Sequence, residues 1–353
     1  MEENYHAHIE KAVAMGASDI HFTVALPPIF RIRGELLPYG EKKLTREDTE
    51  ALVMSILNDS QKAHLAEFGE VDFSYAIPGV SRFRMNAFKQ RNSHCLAVRV
   101  LLPNIPDLAS LGVTPLAVNL ALKPRGLVLI TGPTGSGKST TLAAMVRTIN
   151  ETRSCHILTI EDPIEYLHSH GKSVINQREV GNDTTSFANA IRAALREDPD
   201  VILVGEMRDL ETIATAVTAA ETGHLVMSTL HTTSSAQTVD RIIDVFPPHQ
   251  QEQIRIQLAG VLQGIISQQL IPTKDGSGRV LAQEILIVND AIRNLIREGK
   301  TYNIDSVIQT NIKVGMAPMD YSLAQLAIKK IISREDAMKR CNDPDMLKRY
   351  LGM

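Results

Sequence analysis

Residues 126–144 read GLVLITGPTGSGKSTTLAA, and their pattern is the strongest indication of the fold in this sequence. Its first part, 127–131, is a short apolar run that predicts a buried strand. Its last part, from Thr140 onwards, has the composition of a helix. Between them, residues 132–139 match the whole pattern G-x-x-x-x-G-K-[S/T], which is typical of a phosphate-binding loop. A chance glycine-rich turn is the alternative, and the flanking strand and helix argue against it.

Each part of this loop has a physical role in holding phosphate. The glycines let the backbone wrap an anion so that its N–H groups point inward, and the helix that follows adds the positive end of its dipole. Lys138 is predicted to reach the β- and γ-phosphates of ATP, and Ser139 to bind Mg²⁺. The predicted nucleotide-binding residues are Gly132, Pro133, Thr134, Gly135, Ser136, Gly137, Lys138, Ser139 and Thr140.

From residue 126 the chain alternates between short apolar runs and helical patterns. The predicted strands are 127–131, 156–160, 201–205 and 225–229, and the predicted helices are 138–150, 187–196 and 210–222. The strands are apolar on both faces, as in a parallel sheet covered by helices. This alternation predicts an α/β nucleotide-binding core. Beyond Pro247 the chain is predicted to be mostly helical, apart from a strand pair around 277–288.

The first hundred residues have a different pattern, that of a small mixed α/β unit. Thr45 begins a T-x-x-D cap ahead of a helix, and the runs 71–77, 81–88 and 95–101 are predicted to be antiparallel strands. Two prolines and no periodicity follow. We therefore predict a first domain at 1–102, a hinge linker at 103–114 and a second domain at 115–353.

Composition excludes several classes of protein. The chain has 353 residues, a formal net charge of −3 and 22% charged residues, which indicates no global attraction to nucleic acid. Its three cysteines, Cys95, Cys155 and Cys341, have no zinc spacing and fit a reducing, cytoplasmic setting. The sequence predicts neither a signal peptide nor a transmembrane segment.

A carboxylate follows the third predicted strand of the second domain. Most P-loop enzymes place Asp near the metal and then a catalytic Glu at this point; here Gly205 stands in the Asp position and Glu206 in the Glu position. A carboxylate at such a strand end can orient and deprotonate the attacking water. The alternative is that Glu206 only forms an ion pair with Arg208.

Two further strand ends carry candidate groups. Glu161, with Asp162 and Glu165 beside it, could polarise water or hold Mg²⁺ through a water molecule; alternatively these acids only build a solvated turn. His224 and His231 flank the fourth strand, seven positions apart, so strand periodicity places them on opposite faces. His231 lies where the γ-phosphate is sensed in such sheets, although a structural role is equally consistent with the sequence.

One strand of the first domain carries arginines on a polar face. Arg82, Arg84 and Asn86 alternate with the apolar Phe83, Met85 and Ala87. A P-loop ATPase needs a positive charge near its transition state, often supplied by another subunit. From the spacing alone, a solvated arginine face is the favoured interpretation.

Together these segments resemble the secretion-superfamily hexameric ATPases, in particular those that retract type IV pili. The motifs that carry the resemblance are the Walker A run 132–140, the Asp box 159–166, the Walker B run 204–209, the His box 222–232, the early GASDIH at 16–21 and the late AIRNLIREGK at 291–300. The resemblance covers nearly the whole chain. It implies a PAS-like first domain, a RecA-like P-loop second domain with a helical C-terminal region, and a homohexamer.

The resemblance also implies roles for the site residues. Glu206 becomes the catalytic carboxylate and His231 a phosphate sensor, and the first domain packs over the nucleotide so that Arg82 and Arg84 reach its phosphates. Glu161 and Lys138 complete the catalytic set, with ATP and Mg²⁺ as cofactors.

The implied function is retraction of a type IV pilus by ATP hydrolysis. The enzyme would work in the cytoplasm, at the inner face of the inner membrane, on the platform protein of the pilus machinery. Pilus extension or type II secretion is the first alternative, although the chain lacks the tetracysteine zinc insertion and long N-terminal extension of those ATPases. A nucleic-acid translocase and a non-hydrolysing nucleotide switch are the others.

Overall fold

The computed structural model describes residues 5–101 and 105–353, and the chain divides into two compact units. The first unit lies within residues 1–104 and includes Pro163–Leu167, and the second comprises Ile105–Asp162 and His168–Met353. The start of the predicted linker, 103–104, falls outside the described residues. Within the described ranges, no helix is long and apolar enough to cross a membrane.

The first unit is built on an antiparallel sheet. Its elements are α1 (Tyr5–Ala14), β1 (Ala17–Phe22), β2 (Ile29–Ile32), β3 (Glu35–Pro38), α2 (Arg46–Ile56), α3 (Asp59–Phe68), β4 (Glu70–Ile77), β5 (Ser81–Gln90) and β6 (Ser93–Leu101). The strands lie in the order β3-β2-β1-β6-β5-β4, and each neighbouring pair is antiparallel. Because most neighbours in this sheet are also close in sequence, short hairpins connect much of it.

Local sequence signals account for this unit. Thr45 and Asp48 form the predicted capping box at the start of α2, each side chain accepting from the other's backbone N–H. On β5 the apolar Phe83, Met85 and Ala87 are fully buried, which confirms the predicted alternation. The opposite face of β5 therefore carries the arginines.

The second unit contains the predicted core and more. Its elements are α4 (Pro115–Ala121), β7 (Gly126–Thr131), α5 (Lys138–Thr152), β8 (His156–Glu161), β9 (Val174–Glu179), α6 (Phe187–Ala194), β10 (Val201–Val204), α7 (Leu210–Glu221), β11 (Leu225–Leu230), α8 (Ser235–Asp244), α9 (Pro248–Val261), β12 (Leu262–Pro272), β13 (Arg279–Ile287), α10 (Asp290–Arg297), α11 (Ile304–Thr310), α12 (Met319–Ile328), α13 (Arg334–Arg340) and α14 (Pro344–Leu351). Short 3₁₀ segments lie at Thr301–Asn303 and Ile312–Val314.

The seven strands of this unit lie in the order β13-β12-β7-β11-β10-β8-β9. All neighbours are parallel except β12 and β13, which form an antiparallel hairpin. The central strands β7, β10 and β11 are buried throughout, as predicted for a sheet covered on both faces. The mixed α/β class and the helical C-terminal region are thus confirmed.

The predicted strand pair around 277–288 is wrong in extent. The hairpin is β12 with β13, joined by a turn at 273–278, and β12 lies within a stretch predicted to be helical. The helix α9 passes directly into β12 at Leu262 with no intervening turn, and Gly260 and Gly264 lie inside the two elements, so they do not mark the change. Three glutamines and a serine also interrupt the apolar pattern of β12. The strand β9, largely polar and at the edge of the sheet, was not predicted either.

The described part of the predicted linker packs into the second unit. Asp107 accepts the backbone N–H of Ser110 at 2.7 Å, and this bond lowers the pKa of the Asp107 carboxyl. Leu108 and Val113 are buried in the cluster formed with α4 and α5. Residues 107–113 are therefore a compact turn on the nucleotide-binding core.

Candidate functional site

The predicted phosphate loop lies between β7 and α5. Gly132, Gly135 and Gly137 have φ values of 142°, 78° and 90°, in the region that side chains disfavour. A Cβ at Gly132 would also clash with the carbonyl oxygen of Gln268 and lie 2.6 Å from Ser136 Oγ. Gly137 occupies the N-cap position of α5. The loop therefore requires glycine for both its conformation and its packing.

Lys138 is held inside the loop. Its Nζ donates hydrogen bonds to the carbonyl oxygens of Gly132 at 2.8 Å and Pro133 at 3.0 Å. Ser139 is exposed in the first turn of α5, whereas the buried Ser136 Oγ has no hydrogen-bond partner among the described residues. An ammonium, a hydroxyl and the N-terminus of a 15-residue helix thus converge on one loop. This is a donor set for phosphate.

Buried polar contacts support the loop from β12. Thr131 Oγ1 lies 2.8 Å from Ser267 Oγ, just before the loop begins. Gln268 Nε2 donates to Thr141 Oγ1 at 2.9 Å, in the first turn of α5. All four side chains are buried. Sequence reasoning missed this support, because a glutamine and a serine within an unassigned strand carry no motif of their own.

Glu206 follows β10 and lies close to Arg208 and His231. Its Oε2 lies 2.8 Å from Arg208 Nη2 and 3.7 Å from His231 Nε2. The Glu206 side chain is 25% exposed and that of Arg208 is 68% exposed. The predicted alternative, an ion pair with Arg208, is therefore present, and the histidine after the neighbouring strand lies beside the same carboxylate.

Backbone contacts position Glu206. The N–H of Gly205 donates to Ile160 O at 2.8 Å, and Gly205 O accepts from Thr229 Oγ1 at 2.6 Å. A Cβ at Gly205 would lie 3.3 Å from Ile160 O. These hydrogen bonds connect the ends of β8, β10 and β11 next to Glu206. An Asp side chain at position 205, usual in other P-loop enzymes, would have little room.

Glu161 ends β8, next to β10. Its Oε1 accepts hydrogen bonds from Thr159 Oγ1 at 2.7 Å and from Gln177 Nε2 at 3.2 Å. Gln177 also accepts the backbone N–H of His168 at 2.8 Å. Burial disfavours the charged imidazolium and lowers the pKa of His168 to about 4. Glu161 is therefore a carboxylate oriented by neutral donors at the same edge of the sheet as Glu206.

The two predicted histidines lie at opposite ends of β11. His231 follows the strand and lies near Glu206. His224 precedes it, and its Nδ1 lies 2.9 Å from Ala219 O at the end of α7. Because β11 is parallel to β10, only His231 shares the edge that carries Glu206. His224 has a structural contact instead.

Arg82 and Arg84 belong to the first unit. Arg82 Nη2 donates to Ser74 Oγ at 3.0 Å, and Arg84 Nη2 lies 4.0 Å from Asp72 Oδ2. Asn86 Nδ2 donates to the same Asp72 at 3.1 Å. The three polar residues thus share one face of β5 with partners on β4.

Comparison with known proteins identifies a matching family and several similar proteins. The family model described as type II/IV secretion system protein matches residues 1–317. The type IV pilus retraction ATPase PilT of Pseudomonas aeruginosa is 51% identical over 94% of this chain and 96% of its own length. A twitching motility protein of Neisseria gonorrhoeae is 50% identical over 91% of this chain and 86% of its own length.

A solved structure agrees with these sequence relatives. The crystal structure of the pilus retraction motor PilT with bound ADP has a TM-score of 0.90 to this chain and 52% sequence identity, covering 97% of this chain and 98% of its own. The family model and the high identity over most of both chains lead to the same conclusion. The chain belongs to the type II/IV secretion system protein family.

Proposed function

We propose that this chain is an ATP-hydrolysing motor that drives disassembly and retraction of a type IV pilus. The observation that carries the proposal is the pairing of a complete phosphate loop with Glu206 at a nearby strand end. The relatives named as a pilus retraction ATPase and a twitching motility protein support the direction of work.

Nucleotide binding is assigned to residues 132–140. The loop's left-handed glycines, the amides at the start of α5 and the buried Ser136 hydroxyl fit an anion of the size of a phosphate. Lys138 would exchange its bonds to the carbonyls of Gly132 and Pro133 for bonds to the β- and γ-phosphates. The PilT crystal structure with ADP supports ADP and ATP as the nucleotides.

Mg²⁺ would be held by the exposed hydroxyl of Ser139, and Glu161 would act on it through a water molecule. When bound with the nucleotide, the ion would neutralise charge on the phosphates. The protein's own contribution is to fix the hydroxyl at the helix N-terminus and to orient Glu161 through Thr159 and Gln177. Because Gly205 replaces the usual Asp, Ser139 carries the main protein contact.

Hydrolysis is assigned to Glu206. Its carboxylate would accept a proton from the water that attacks the γ-phosphorus, while His231 beside it senses the phosphate. Arg208 occupies one carboxylate oxygen in this structure. An ion pair with a largely exposed arginine contributes only about 0–1 kcal/mol, so Glu206 can release it at little cost.

Arg82 and Arg84 would supply positive charge to the transition state from the first unit. Their face of β5 is polar, and their contacts with Ser74 and Asp72 are long or neutral. The ion pair of Arg84 with Asp72 is 4.0 Å long between exposed side chains and contributes little, so Arg84 can turn towards phosphate at little cost. Which subunit supplies them depends on the assembly, for which we propose a homohexamer.

Mechanical work would follow from closure of the two domains, 1–102 and 115–353, about the linker 103–114. Successive closures around the ring would act on the inner-membrane platform protein, so that pilins leave the base of the filament. The motor would work in the cytoplasm, docked at the inner face of that membrane.

Two experiments test this proposal. The purified full-length chain should release phosphate from ATP at steady state, without stimulation by DNA; absence of turnover would leave only a nucleotide switch, and DNA stimulation would indicate a translocase. A deletion strain should carry excess pili that do not retract. Bald cells would indicate an extension motor and contradict the proposed direction.

A further inference from the structure

We infer that two buried glutamines, Gln268 and Gln283, couple the phosphate loop to the linker turn at 107–113. The inference rests on the proposed function, in which nucleotide binds at the loop and the linker moves. It assigns a route between these two places within the second unit, through β12 and β13.

Gln268 connects β12 to the phosphate loop by two contacts. Its side-chain Nε2 donates to Thr141 Oγ1 at 2.9 Å, and its backbone carbonyl packs against Gly132 so closely that a Cβ there would clash. Leu270, two residues on, would lie 3.7 Å from a Cβ at Gly137. The strand β12 therefore follows the loop from its first glycine to the first turn of α5.

Gln283 connects β13 to the linker turn. Its Nε2 donates to Gly112 O at 2.9 Å, across a separation of 171 residues in sequence. Its Oε1 is buried and has no hydrogen-bond partner among the described residues. A buried acceptor without a donor costs free energy, so a rearrangement that supplies a donor is favourable at this atom.

The two glutamines are directly opposite each other in the β12–β13 ladder. Side chains of opposite residues project from the same face, with Cβ atoms about 4.5–5.5 Å apart. Nε2 of Gln268 is therefore a donor within side-chain reach of Oε1 of Gln283. It has two alternative acceptors: Thr141 Oγ1, which it contacts in this structure, and the amide oxygen of Gln283.

Nucleotide binding would bias this choice. Thr141 lies two residues after Ser139, in the helical turn that the phosphates contact in the proposed site, and its N–H donates to Gly137 O at 3.0 Å. A small displacement of this turn weakens the bond from Gln268, because hydrogen bonds weaken steeply with length and angle. The amide then turns to Gln283, which gains a second bond and holds Gly112 more firmly.

A second connection from α5 to the linker provides the competing route. Arg147 Nη1 donates to Ile105 O at 2.7 Å, while its Nε lies 2.8 Å from Glu151 Oε1. The Arg147 side chain is 42% exposed, so water can replace its bonds. The buried glutamine route cannot be replaced in this way.

Hydrogen exchange of the full-length chain, with and without saturating ADP and magnesium chloride, tests the coupling. The reporters are the amides of Leu111, Gly112 and Val113, which donate within the linker turn. In the wild-type chain we expect ADP to slow their exchange by about fivefold, the factor for roughly one net hydrogen bond. In Gln283→Leu we expect ADP affinity within about twofold of wild type and no ADP-dependent slowing at these amides.

Three other variants complete the design, and one of them, Arg147→Ala, breaks the exposed route. Thr141→Val, nearly isosteric, removes the other end of the route and should also abolish the slowing at saturating ADP, which keeps the test decisive if Gln283→Leu does not fold. Thr49→Val is the matched control: it removes a buried hydroxyl that donates to Arg46 O in the first unit and should keep the full response.

The outcomes are distinct. A wild-type chain that binds ADP without any change at 111–113 overturns the coupling alone, as does a Gln283→Leu chain with the full response. Loss of the response in Arg147→Ala but not in Gln283→Leu assigns the coupling to the exposed route and overturns this one. A wild-type chain that binds no ADP contradicts the proposed function itself.

Discussion

The phosphate loop and the arginine strand β5 are two polar regions built in opposite ways. Buried contacts from β12 hold the loop in place: Gln268 contacts Thr141, and Ser267 contacts Thr131. On β5 the arginines contact Ser74 and Asp72 across a half-exposed face, one of them at 4.0 Å. The loop has its geometry set before any ligand arrives, whereas Arg84 on β5 is held by a long, exposed ion pair that it can exchange for another.

This difference indicates separate roles in the proposed site: the loop binds the nucleotide, and β5 contributes to its hydrolysis. Preorganised donors are effective because they need no rearrangement during the reaction. Residues that must arrive and leave in each cycle need weak resting contacts, which exposed ion pairs provide. Variants of the loop should therefore abolish binding, and variants of β5 should slow turnover while leaving binding largely intact.

The largest effect is expected from Lys138→Ala. The ammonium is the charge assigned to the β- and γ-phosphates, so kcat should fall by at least about 100-fold and nucleotide binding should weaken or vanish. Phosphate release and isothermal titration with ADP measure these two effects. Lys313→Ala, at an exposed lysine of the same unit, is the control. Normal ATPase activity in Lys138→Ala would remove the loop from the mechanism.

Glu206→Gln should separate binding from chemistry. The amide cannot accept the proton from water, so we expect ATP to bind while kcat falls by about 10²–10⁴-fold. Glu211→Gln, an exposed carboxylate paired with an arginine on a neighbouring helix, should leave both unchanged. An unchanged kcat in Glu206→Gln would show that the carboxylate only pairs with Arg208.

Arg82→Ala and Arg84→Ala test whether the arginines of β5 act on the bound phosphates. Each should lower kcat by about 10³-fold, the low end of the effect for arginines that act on a transferred phosphate. Size-exclusion chromatography with light scattering should show unaltered assembly. Arg31→Ala, on β2 of the same sheet, is the matched control. Loss of assembly with normal turnover per subunit would instead indicate an interface role for β5.

Glu284, which is buried on β13 opposite Ser267 of β12, predicts a pH effect on the stability of the fold. Glu284 on β13 is 3% exposed, and burial raises the pKa of its carboxyl above the ordinary value. The folded state therefore favours the neutral acid, and its advantage is lost as pH rises through the folded-state pKa.

Glu284→Gln keeps an acceptor for the N–H of Ser235, which Glu284 accepts at 2.7 Å, but cannot ionise. We expect its Tm to exceed that of wild type by a margin that grows between about pH 4 and pH 7. Thermal unfolding across this range measures the margin. The exposed Glu335→Gln should show no such trend; a constant or shrinking margin for Glu284→Gln would contradict the assignment.

The smallest effect is expected at a local contact of the first unit. Thr45→Ala removes one half of the α2 capping box and should lower unfolding free energy by about 1 kcal/mol. Because the cap lies outside both regions compared, ATPase activity at 25 °C should stay as in wild type. Denaturant unfolding monitored by circular dichroism tests the first expectation, and phosphate release the second.

Sequence reasoning succeeded where the signal is local. The loop 132–139, the cap at Thr45 and the alternation on β5 each depend on residues within a few positions of one another. The central parallel strands were also predicted, because burial on both faces leaves a continuous apolar run. The site residues that follow those strands could be named for the same reason.

It failed where a residue's role depends on distant partners. Gln268 contacts Thr141 across 127 positions, and Gln283 contacts Gly112 across 171. The strand β12 could not be predicted because it follows α9 with no intervening turn, and because its glutamines interrupt the apolar pattern that marks a buried strand. The roles of Glu206, His231 and the two arginines remain predictions.

The proposed mechanism is tested most sharply by a structure of the assembled oligomer with a non-hydrolysable ATP analogue and Mg²⁺. We predict that the γ-phosphate lies within hydrogen-bonding distance of Lys138 and of Arg82 or Arg84, with Glu206 released from Arg208 and facing a water molecule. A γ-phosphate contacted by the loop alone, with both arginines still on Ser74 and Asp72, would contradict it.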